Sequence, residues 1–210
     1  MTAAAVIQVM CVDDHRLMRE GLARIVNVQR DMRVVAQASS GEEAVDLYRR
    51  HRPDVTLMDL QLPRMSGVEA IREIRACHAE ARVVVVTMYQ GDEDVHRAVA
   101  AGAMGYLLKD TLPDDLIHTI RDVHGGRRAI APEIAAVLEQ RASQPSLTGR
   151  ELQVLELLAT GKRNKEIAAD LGISGDTASA HVKSIFVKFN VHDRTAALAE
   201  ALRRGVIHIR

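Results

Sequence analysis

Five polar side chains in the first half of the chain have the types that phosphoryl chemistry requires. Asp13 and Asp14 follow one apolar run, Asp59 and Lys109 follow two others, and Thr87 ends a fourth. Carboxylates that lie close together raise one another's pKa unless a cation intervenes, so the set calls for a hard divalent ion. Mg²⁺ suits such a site because it accepts a few carboxylates, keeps several waters and shares phosphate oxygens.

The same groups suit a reaction in which a carboxylate attacks a phosphoryl group. Asp59 would be the nucleophile, and Mg²⁺ and Lys109 would stabilise the negative charge that spreads over the phosphoryl oxygens. Lys109 could pair first with Asp59 and later with the oxyanion that replaces its charge. The sequence therefore predicts a metal site at which a carboxylate is chemically modified.

Each residue of this set also has a plainer structural interpretation. Asp13 and Asp14 could belong to the cap and first turn of the next helix. Lys109 could be a solvated side chain, Thr87 an ordinary strand end, and Tyr106 a core aromatic residue with its hydroxyl at the rim. Four matching strand ends in one chain favour a site over these separate explanations.

The strands that must position these groups are short runs rich in β-branched residues. Near-continuous apolar runs predict strands buried on both faces of a sheet, and amphipathic segments with helix caps lie between them. Five such units in about 125 residues predict an α/β fold with a doubly wound, five-stranded parallel sheet. Its functional crevice lies at the carboxyl ends of the strands. The predicted strands are Val6 to Val12, Arg33 to Ala38, Val55 to Met58, Arg82 to Thr87 and Gly105 to Leu108.

Length and composition indicate a globular protein with one large or two small domains. The chain has 210 residues, 47% of them apolar, with 28 basic and 28 acidic side chains. Residues 1–126 carry 15 basic and 19 acidic side chains, whereas residues 147–210 carry 10 and 7. The beginning of the chain lacks a basic segment, and no apolar run approaches the ~20 residues of a membrane helix. We therefore expect neither export nor a membrane partner. Cys11 and Cys77 have no metal-ligand spacing, and two such cysteines suit a reducing cytoplasm.

The sequence pattern changes after residue 126. A pair of glycines closes the last helix of the first domain, and Pro132 can begin a short helix that runs to about Arg141. Residues 1–126 are thus predicted to form the first domain and residues 127–146 a partly helical linker. Residues 147–210 have a helical period throughout and predict a small all-α domain of four helices.

Two helices of the second domain form a helix-turn-helix pattern around a turn at Gly172. The second helix of the pair, Gly175 to Phe189, has apolar residues at helical spacing on one face and polar residues on the other. A plain helical bundle explains the same pattern, and the local excess of Lys and Arg is modest. The residues alone leave both interpretations open.

Four segments, CVDDHRLMREGL, VTLMDLQLPRMSGVEAIREIR, VVVVTMY and AGAMGYLLKD, resemble the receiver domain of two-component response regulators. The resemblance covers roughly residues 6–125 and implies a flavodoxin-like sheet in which Asp59 is the phosphoacceptor. It implies that Asp14 and Asp59 bind Mg²⁺ directly and that Asp13 binds it through water. The backbone carbonyl of Gln61 would be a further ligand.

The same resemblance implies how the site acts as a switch. Thr87 would bond a phosphoryl oxygen, Lys109 would pair with the phosphoryl group, and Tyr106 would swing inward as Thr87 moves. Phosphorylation of Asp59 exchanges one negative charge for nearly two and adds oxygens that attract Thr87 and Lys109. Such a change shifts the equilibrium between two conformations only by the difference in its interaction free energy with each of them.

The segment LTGRELQVLELLATGKRNKEIAADLGIS and the later VHDRTAAL resemble the LuxR-type DNA-binding domain over its whole length. A receiver followed by this domain is the arrangement of NarL/FixJ-type regulators. The resemblance implies that the helix from Gly175 to Phe189 enters the major groove, with Ser179, Ala180 and Lys183 facing base edges. The residues expected to contact phosphates or lie near them are Lys162, Asn164, Lys165, Thr177, Lys188 and Arg194.

Three further expectations concern this domain. His181 is expected to pack or face a phosphate, because no second His stands at metal-ligand spacing. Leu198 and Leu202 would carry a dimer contact, by family analogy. Ala178 and Ser179 stand where the family usually has Val and Lys, so a cation near the DNA is missing. Losing one such contact costs about 1 to 3 kcal/mol, and DNA binding would then be weak or depend on dimerisation.

Our first hypothesis is a transcription factor that a sensor histidine kinase phosphorylates at Asp59. It would dimerise on activation and bind inverted half-sites in double-stranded DNA. An alternative is a regulator of the same fold that dimerises and binds DNA without phosphorylation. A Mg²⁺-dependent phosphohydrolase is disfavoured, because such an enzyme needs a second carboxylate where this chain has Gln61. We expect no enzyme activity beyond self-phosphorylation and self-dephosphorylation at Asp59.

Overall fold

The computed structural model of the protein describes residues 6–88, 91–131, 134–136, 138 and 145–207. The chain folds into two compact units. The first contains a parallel sheet with its helices, and the second contains four helices near the carboxyl terminus. In the part of the chain that is described, every helix is too short or too polar to cross a membrane.

The first unit alternates strands and helices, as the sequence predicts. All strand pairs are parallel, and the order β2-β1-β3-β4-β5-β6 puts the switch in winding direction between β1 and β3. This arrangement confirms the doubly wound α/β fold. The strands are β1 (Ile7–Val12), β2 (Met32–Ala38), β3 (Val55–Met58), β4 (Val83–Thr87), β5 (Gly105–Leu108) and β6 (Ala129–Ile130). The helices are α1 (Arg16–Asn27), α2 (Gly41–His51), α3 (Gly67–Cys77), α4 (Asp92–Ala100) and α5 (Pro113–His124).

The sheet has six strands where five were predicted. Strand β6 lies inside the segment predicted as linker and pairs with β5 through Gly105 and Tyr106. Its two residues are too few to show a periodic pattern, so the sequence gives no strand signal there. Residues 134–136 are helical, as expected for this segment, whereas Pro132 and Arg141, the predicted ends of the linker helix, lie outside the described residues.

The core of the first unit explains why the sequences of its strands are mainly apolar. Residues of β1, β3 and β4 that point to one face pack against α1 and α5, with Leu22, Val26, Ile117 and Ile120 at the centre. Residues in between point to the other face and are also buried. A sheet covered on both faces leaves its polar chemistry at the strand ends.

The second unit consists of α6 (Gly149–Ala159), α7 (Asn164–Leu171), α8 (Gly175–Phe189) and α9 (Arg194–Arg203). Thr148 and Glu151 form a capping box on α6, and Ser174 and Asp193 cap α8 and α9. Gly172 ends α7 in the left-handed conformation, with φ of 62°. The predicted inner face of α8 is confirmed, since it is buried at Ala178, Val182, Ile185 and Phe189.

Candidate functional site

The carboxylates predicted to form the site lie where the topology of the sheet predicts. Asp13 and Asp14 directly follow β1, and Asp59 directly follows β3, the neighbouring strand. The Asp59 N–H donates to the carbonyl of Val12 at 2.9 Å, which fixes the two strand ends side by side. Lys109 follows β5 at the same edge of the sheet. The carboxyl ends of parallel strands thus bring these side chains together at the switch in winding direction.

Lys109 lies between two of the carboxylates. Its Nζ is 2.7 Å from Asp59 Oδ2, to which it donates a hydrogen bond, and 2.7 Å from Asp13 Oδ2. The contact with Asp13 is an ion pair without hydrogen-bond alignment, which leaves Asp13 Oδ2 buried and without a hydrogen-bond partner. The exposed fractions of the side chains are 1% for Asp13, 3% for Asp59 and 5% for Lys109. Two carboxylates and one ammonium are therefore almost completely removed from water.

Burial sets the direction of the pKa shift at Asp59. Removal from water raises the pKa of Asp59, and the hydrogen bond and charge of Lys109 lower it only in part, while Asp13 raises it further. For Lys109, burial lowers the pKa, but Asp13 and Asp59 overcome that effect and raise it. Lys109 is thus an ammonium at neutral pH, and this one ammonium is shared by the carboxyl groups of Asp13 and Asp59.

A divalent cation would fit the oxygen atoms at this edge. Asp13, Asp14, His15 and Asp59 each offer a ligand atom, and these atoms all lie within 4.8 Å of one another. The buried Asp13 Oδ2 is paired with the Lys109 ammonium but accepts no hydrogen bond, so it retains capacity for a further ligand. The donors are mainly carboxylate oxygens, as hard divalent cations prefer. The cluster is therefore compatible with a divalent metal.

Two residues near the cluster were missed by the sequence reasoning. His15 Nδ1 lies 2.7 Å from Asp14 Oδ1, and its position directly after Asp14 was the available signal. Gly67 begins α3 so close to the end of β3 that a Cβ there would lie 2.0 Å from the Asp59 carbonyl oxygen. Only glycine leaves room for the Asp59 backbone, although nothing in the sequence pattern distinguishes it from other helix starts.

The remaining predicted residues of the first unit flank the cluster. The Gln61 N–H donates to Asp59 Oδ1 at 3.3 Å, so the loop after Asp59 folds back on its carboxylate. Thr87 is fully buried at the end of β4, and its carbonyl accepts from the Lys109 N–H at 2.9 Å. The Tyr106 side chain is 1% exposed on β5, so its ring already lies inside the protein in this structure.

In the second unit, the predicted base-facing residues differ in exposure. Ala180 and Lys183 are exposed on α8, as is Thr177 near its start. Ser179 is half-buried, and its Oγ accepts a hydrogen bond from Asn164 Nδ2 of α7 at 3.1 Å. The predicted outer face of α8 therefore exists, but Ser179 lies at its border with α7.

The predicted phosphate-facing residues divide into two groups. Lys165 is exposed, and Lys162 forms an ion pair with Asp170. Lys188 and Arg194 instead have partners inside the domain. Lys188 Nζ lies 2.6 Å from Glu151 Oε2 and 3.0 Å from the Ser146 carbonyl oxygen.

Arg194 closes a connection between helices. Its Nη2 donates to the carbonyl oxygens of Leu158 at 2.8 Å and Lys162 at 2.7 Å. It therefore joins the start of α9 to the end of α6. His181 is half-buried on α8. Of the predicted dimer residues, Leu198 packs partly against the core and Leu202 is exposed.

Family models match both parts of the chain. Residues 9–121 match the response regulator receiver domain, and residues 145–201 match the bacterial regulatory proteins of the luxR family. These two matches correspond to the unit with the carboxylate cluster and the unit with the helix-turn-helix pair. The sequence prediction of both domain types is thereby confirmed.

Relatives match over nearly the whole chain. A Bacillus subtilis protein named uncharacterized transcriptional regulatory protein YxjL is 39% identical, over 96% of this chain and 97% of its own. The nitrate/nitrite response regulator protein homolog of Haemophilus influenzae is 38% identical, over 91% and 94%. The crystal structure of the response regulator ChrA of a heme-sensing two-component system is 38% identical, with a TM-score of 0.58 over 97% of this chain and 100% of that one. The chain therefore belongs to the two-component response regulators of the NarL/FixJ type, with a receiver domain and a LuxR-type DNA-binding domain.

Proposed function

We propose that phosphorylation of Asp59 switches this response regulator and that the reaction depends on Mg²⁺. The observation that carries the proposal is the burial of Asp59, which pairs with Lys109 and lies in one cluster with Asp13 and Asp14. A nearly buried carboxylate with an ammonium 2.7 Å from one oxygen is held in one orientation for attack. Its remaining oxygen would attack the phosphorus of a phosphohistidine on the sensor kinase. The P–N bond would break, the imidazole would leave, and an acyl phosphate would form on Asp59.

Each neighbour has a separate task in this proposal. Asp13, Asp14, Asp59 and the backbone carbonyl of Gln61 would hold Mg²⁺, which supplies positive charge to the phosphoryl oxygens. Lys109 donates to the oxyanion that forms beside Asp59, while the Asp13 carboxylate keeps its ammonium in place.

The switch then passes to the strand ends next to the cluster. Thr87 would bond a phosphoryl oxygen, and its carbonyl is already joined to the Lys109 N–H. A shift of Thr87 towards the phosphoryl group therefore moves the β4 and β5 ends together. The side chain of Tyr106, whose ring is already buried in this structure, would be the second group to respond when Thr87 moves.

The second domain would carry the response to DNA. We propose that α8 enters the major groove of double-stranded DNA with Ala180 and Lys183 at base edges. Lys162, Asn164, Lys165, Thr177 and His181 would lie near phosphates. Phosphorylation by a sensor histidine kinase would favour a homodimer with contacts through Leu198 and Leu202, which reads inverted half-sites. A bacterial protein that reads the chromosome in this way acts in the cytoplasm.

The experiment is a selection from a random pool of double-stranded DNA at two salt concentrations, with Mg²⁺ and with or without beryllium fluoride as phosphoryl mimic. Asp59→Asn is the test variant, and Asp46→Asn, an exposed carboxylate on α2, is the matched control. We expect selective, salt-sensitive binding that needs the mimic and is lost only in Asp59→Asn. Selective binding that ignores both the mimic and Asp59 would favour the phosphorylation-independent dimer and contradict the switch.

The same preparation tests the enzyme alternative. A phosphohydrolase would release phosphate continuously from an added phosphomonoester in the presence of Mg²⁺. With Gln61 at the position where such an enzyme needs an acid and base, we expect no turnover beyond the loss of phosphate from Asp59 itself.

A further inference from the structure

Two residues that are expected to contact DNA form a hydrogen bond with each other. Asn164 Nδ2, on the first residue of α7, donates to Ser179 Oγ on α8 at 3.1 Å. The two residues are 15 positions apart in the chain, and both are half-buried. The bond therefore joins the two helices of the helix-turn-helix pair at a polar border that flanks the buried face of α8.

Ser179 lies on the side of α8 that borders α7, one helical turn before the exposed Lys183. Ala180 and Lys183 are exposed, whereas Ser179 lies about 100° around the helix axis from Ala180, on the side of α7. The serine side chain is short, and its acceptor oxygen is already engaged. In helix-turn-helix proteins the first helix of the pair crosses the sugar-phosphate backbone, so a group held between the two helices meets phosphates first.

We infer that Asn164 and Ser179 form one neutral clamp for a single DNA phosphate, an inference that rests on the proposed DNA binding by α8. After the bond between them is made, Asn164 Nδ2 retains one N–H and Ser179 Oγ retains its O–H. These two donors belong to adjacent groups and suit the oxygens of one phosphate. Ser179 is on this assignment a positioning and phosphate-binding residue, and base reading falls to Ala180 and Lys183.

The clamp compensates for a missing cation without adding charge. A lysine at position 179 would release a counterion on binding and steepen the dependence of affinity on salt. Two neutral donors hold the same phosphate with no contribution to that slope. The pair also fixes its own geometry before DNA arrives, which reduces the conformational entropy lost on binding.

The test is a double-mutant cycle on the full-length protein, with Ser179→Ala, Asn164→Ala and both together, measured against the selected DNA and against a scrambled duplex. We expect each single variant to lower affinity about fivefold for both duplexes. The double variant should fall no more than about twofold below the weaker single variant, because each change removes the same clamp. Ser179→Ala combined with Lys165→Ala is the control pair and should give losses that multiply, because Lys165 is exposed on α7.

A second measurement tests the absence of charge. Ser179→Ala should leave the slope of log affinity against log salt unchanged, whereas Ser179→Lys should steepen it by about 0.9 per half-site. These measurements use Ser179 alone, so they test the contact of Ser179 with a phosphate even if Asn164→Ala weakens folding of the domain, which far-UV circular dichroism would reveal.

Multiplying losses in the Asn164 and Ser179 cycle would overturn the inference, as would a Ser179→Ala loss confined to one base pair of the selected site. The latter result would make Ser179 a base-reading residue. Failure of the underlying proposal is a different outcome, because the unmutated protein would then show no selective binding at all.

Discussion

The polar network around Glu151 gives the sharpest prediction for the second domain. Its carboxylate accepts hydrogen bonds from Lys188 Nζ at 2.6 Å, Ser184 Oγ at 2.6 Å and the Thr148 N–H at 2.6 Å. Lys188 in turn donates to the Ser146 carbonyl oxygen. One nearly buried carboxylate thus joins the chain before α6 to the middle and end of α8. Glu151→Gln removes its charge and keeps its shape.

The expected loss of stability follows from the pKa of Glu151. Burial by itself raises this pKa, but hydrogen bonds from Lys188, Ser184 and Thr148 outweigh it and lower the pKa from 4.5 to about 2. At about 1.4 kcal/mol per pKa unit, the folded state favours the charged carboxylate by about 3 kcal/mol. Because the folded pKa is the lower one, this stabilisation is present above pH 4.5 and is lost as the pH falls towards 2.

Urea unfolding of the full-length protein separates the two domains. All three tyrosines, Tyr48, Tyr89 and Tyr106, lie within residues 1–126, so tyrosine fluorescence follows the receiver, while circular dichroism follows the helices of both domains. At pH 7 we expect Glu151→Gln to lower the free energy of unfolding of the second domain by about 2 to 3 kcal/mol and to leave the tyrosine transition in place. The difference from the unmutated protein should shrink as the pH falls from 5 towards 3, an expectation that follows from the lowered pKa.

The control is Glu156→Gln, an exposed carboxylate on the same helix. It should change the free energy of unfolding by less than about 0.5 kcal/mol, as surface substitutions usually do. An equal effect of the two variants, or a Glu151→Gln loss that does not depend on pH, would refute the assignment of the stability to this network.

Two further predictions concern the receiver. Gly67→Ala should lower the free energy of unfolding of the receiver by more than about 2 kcal/mol, because the new Cβ would collide with the Asp59 carbonyl. Gly21→Ala, inside α1, places its Cβ in open space and should raise the same free energy by up to about 1 kcal/mol. Tyrosine fluorescence in urea measures both, and equal effects would contradict the steric argument. Burial raises the pKa of Cys11 to about 12 while Cys77 is exposed, so iodoacetamide at pH 8 should label one thiol in the native protein and two in urea. Labelling of Cys11 without denaturant would contradict its burial.

The sequence predicts the parts of this structure that depend on repeated patterns. Apolar runs give the first five strands nearly to the residue, since the central strands of a sheet buried on both faces are mainly apolar. The residue after each strand then follows from topology, which is why Asp13, Asp59 and Lys109 could be placed together before any distance was known. Helix caps such as Ser174 and Asp193 are equally local and equally predictable.

Interactions between side chains distant in sequence could not be predicted in this way. Lys188 has the type and helix position of a phosphate contact, and only the packing of α6 on α8 brings it to Glu151. The bond between Asn164 and Ser179 depends on the angle between α7 and α8. Strand β6 requires an existing β5 edge, because two residues carry no period of their own.

The two domains each contain a lysine bound to a buried carboxylate at nearly the same distance, yet the pKa of the acid moves in opposite directions. The pKa of Glu151 falls because Lys188, Ser184 and Thr148 all donate to it. The pKa of Asp59 rises because burial dominates and Lys109 is shared with Asp13. The Glu151 pair is therefore balanced in charge and acts as a structural link, as its predicted loss on mutation would show. The Asp59 cluster is short of positive charge, and that deficit is what a divalent cation would fill. The ratio of carboxylates to cations, more than the presence of an ion pair, distinguishes the proposed phosphorylation site from the structural ion pair.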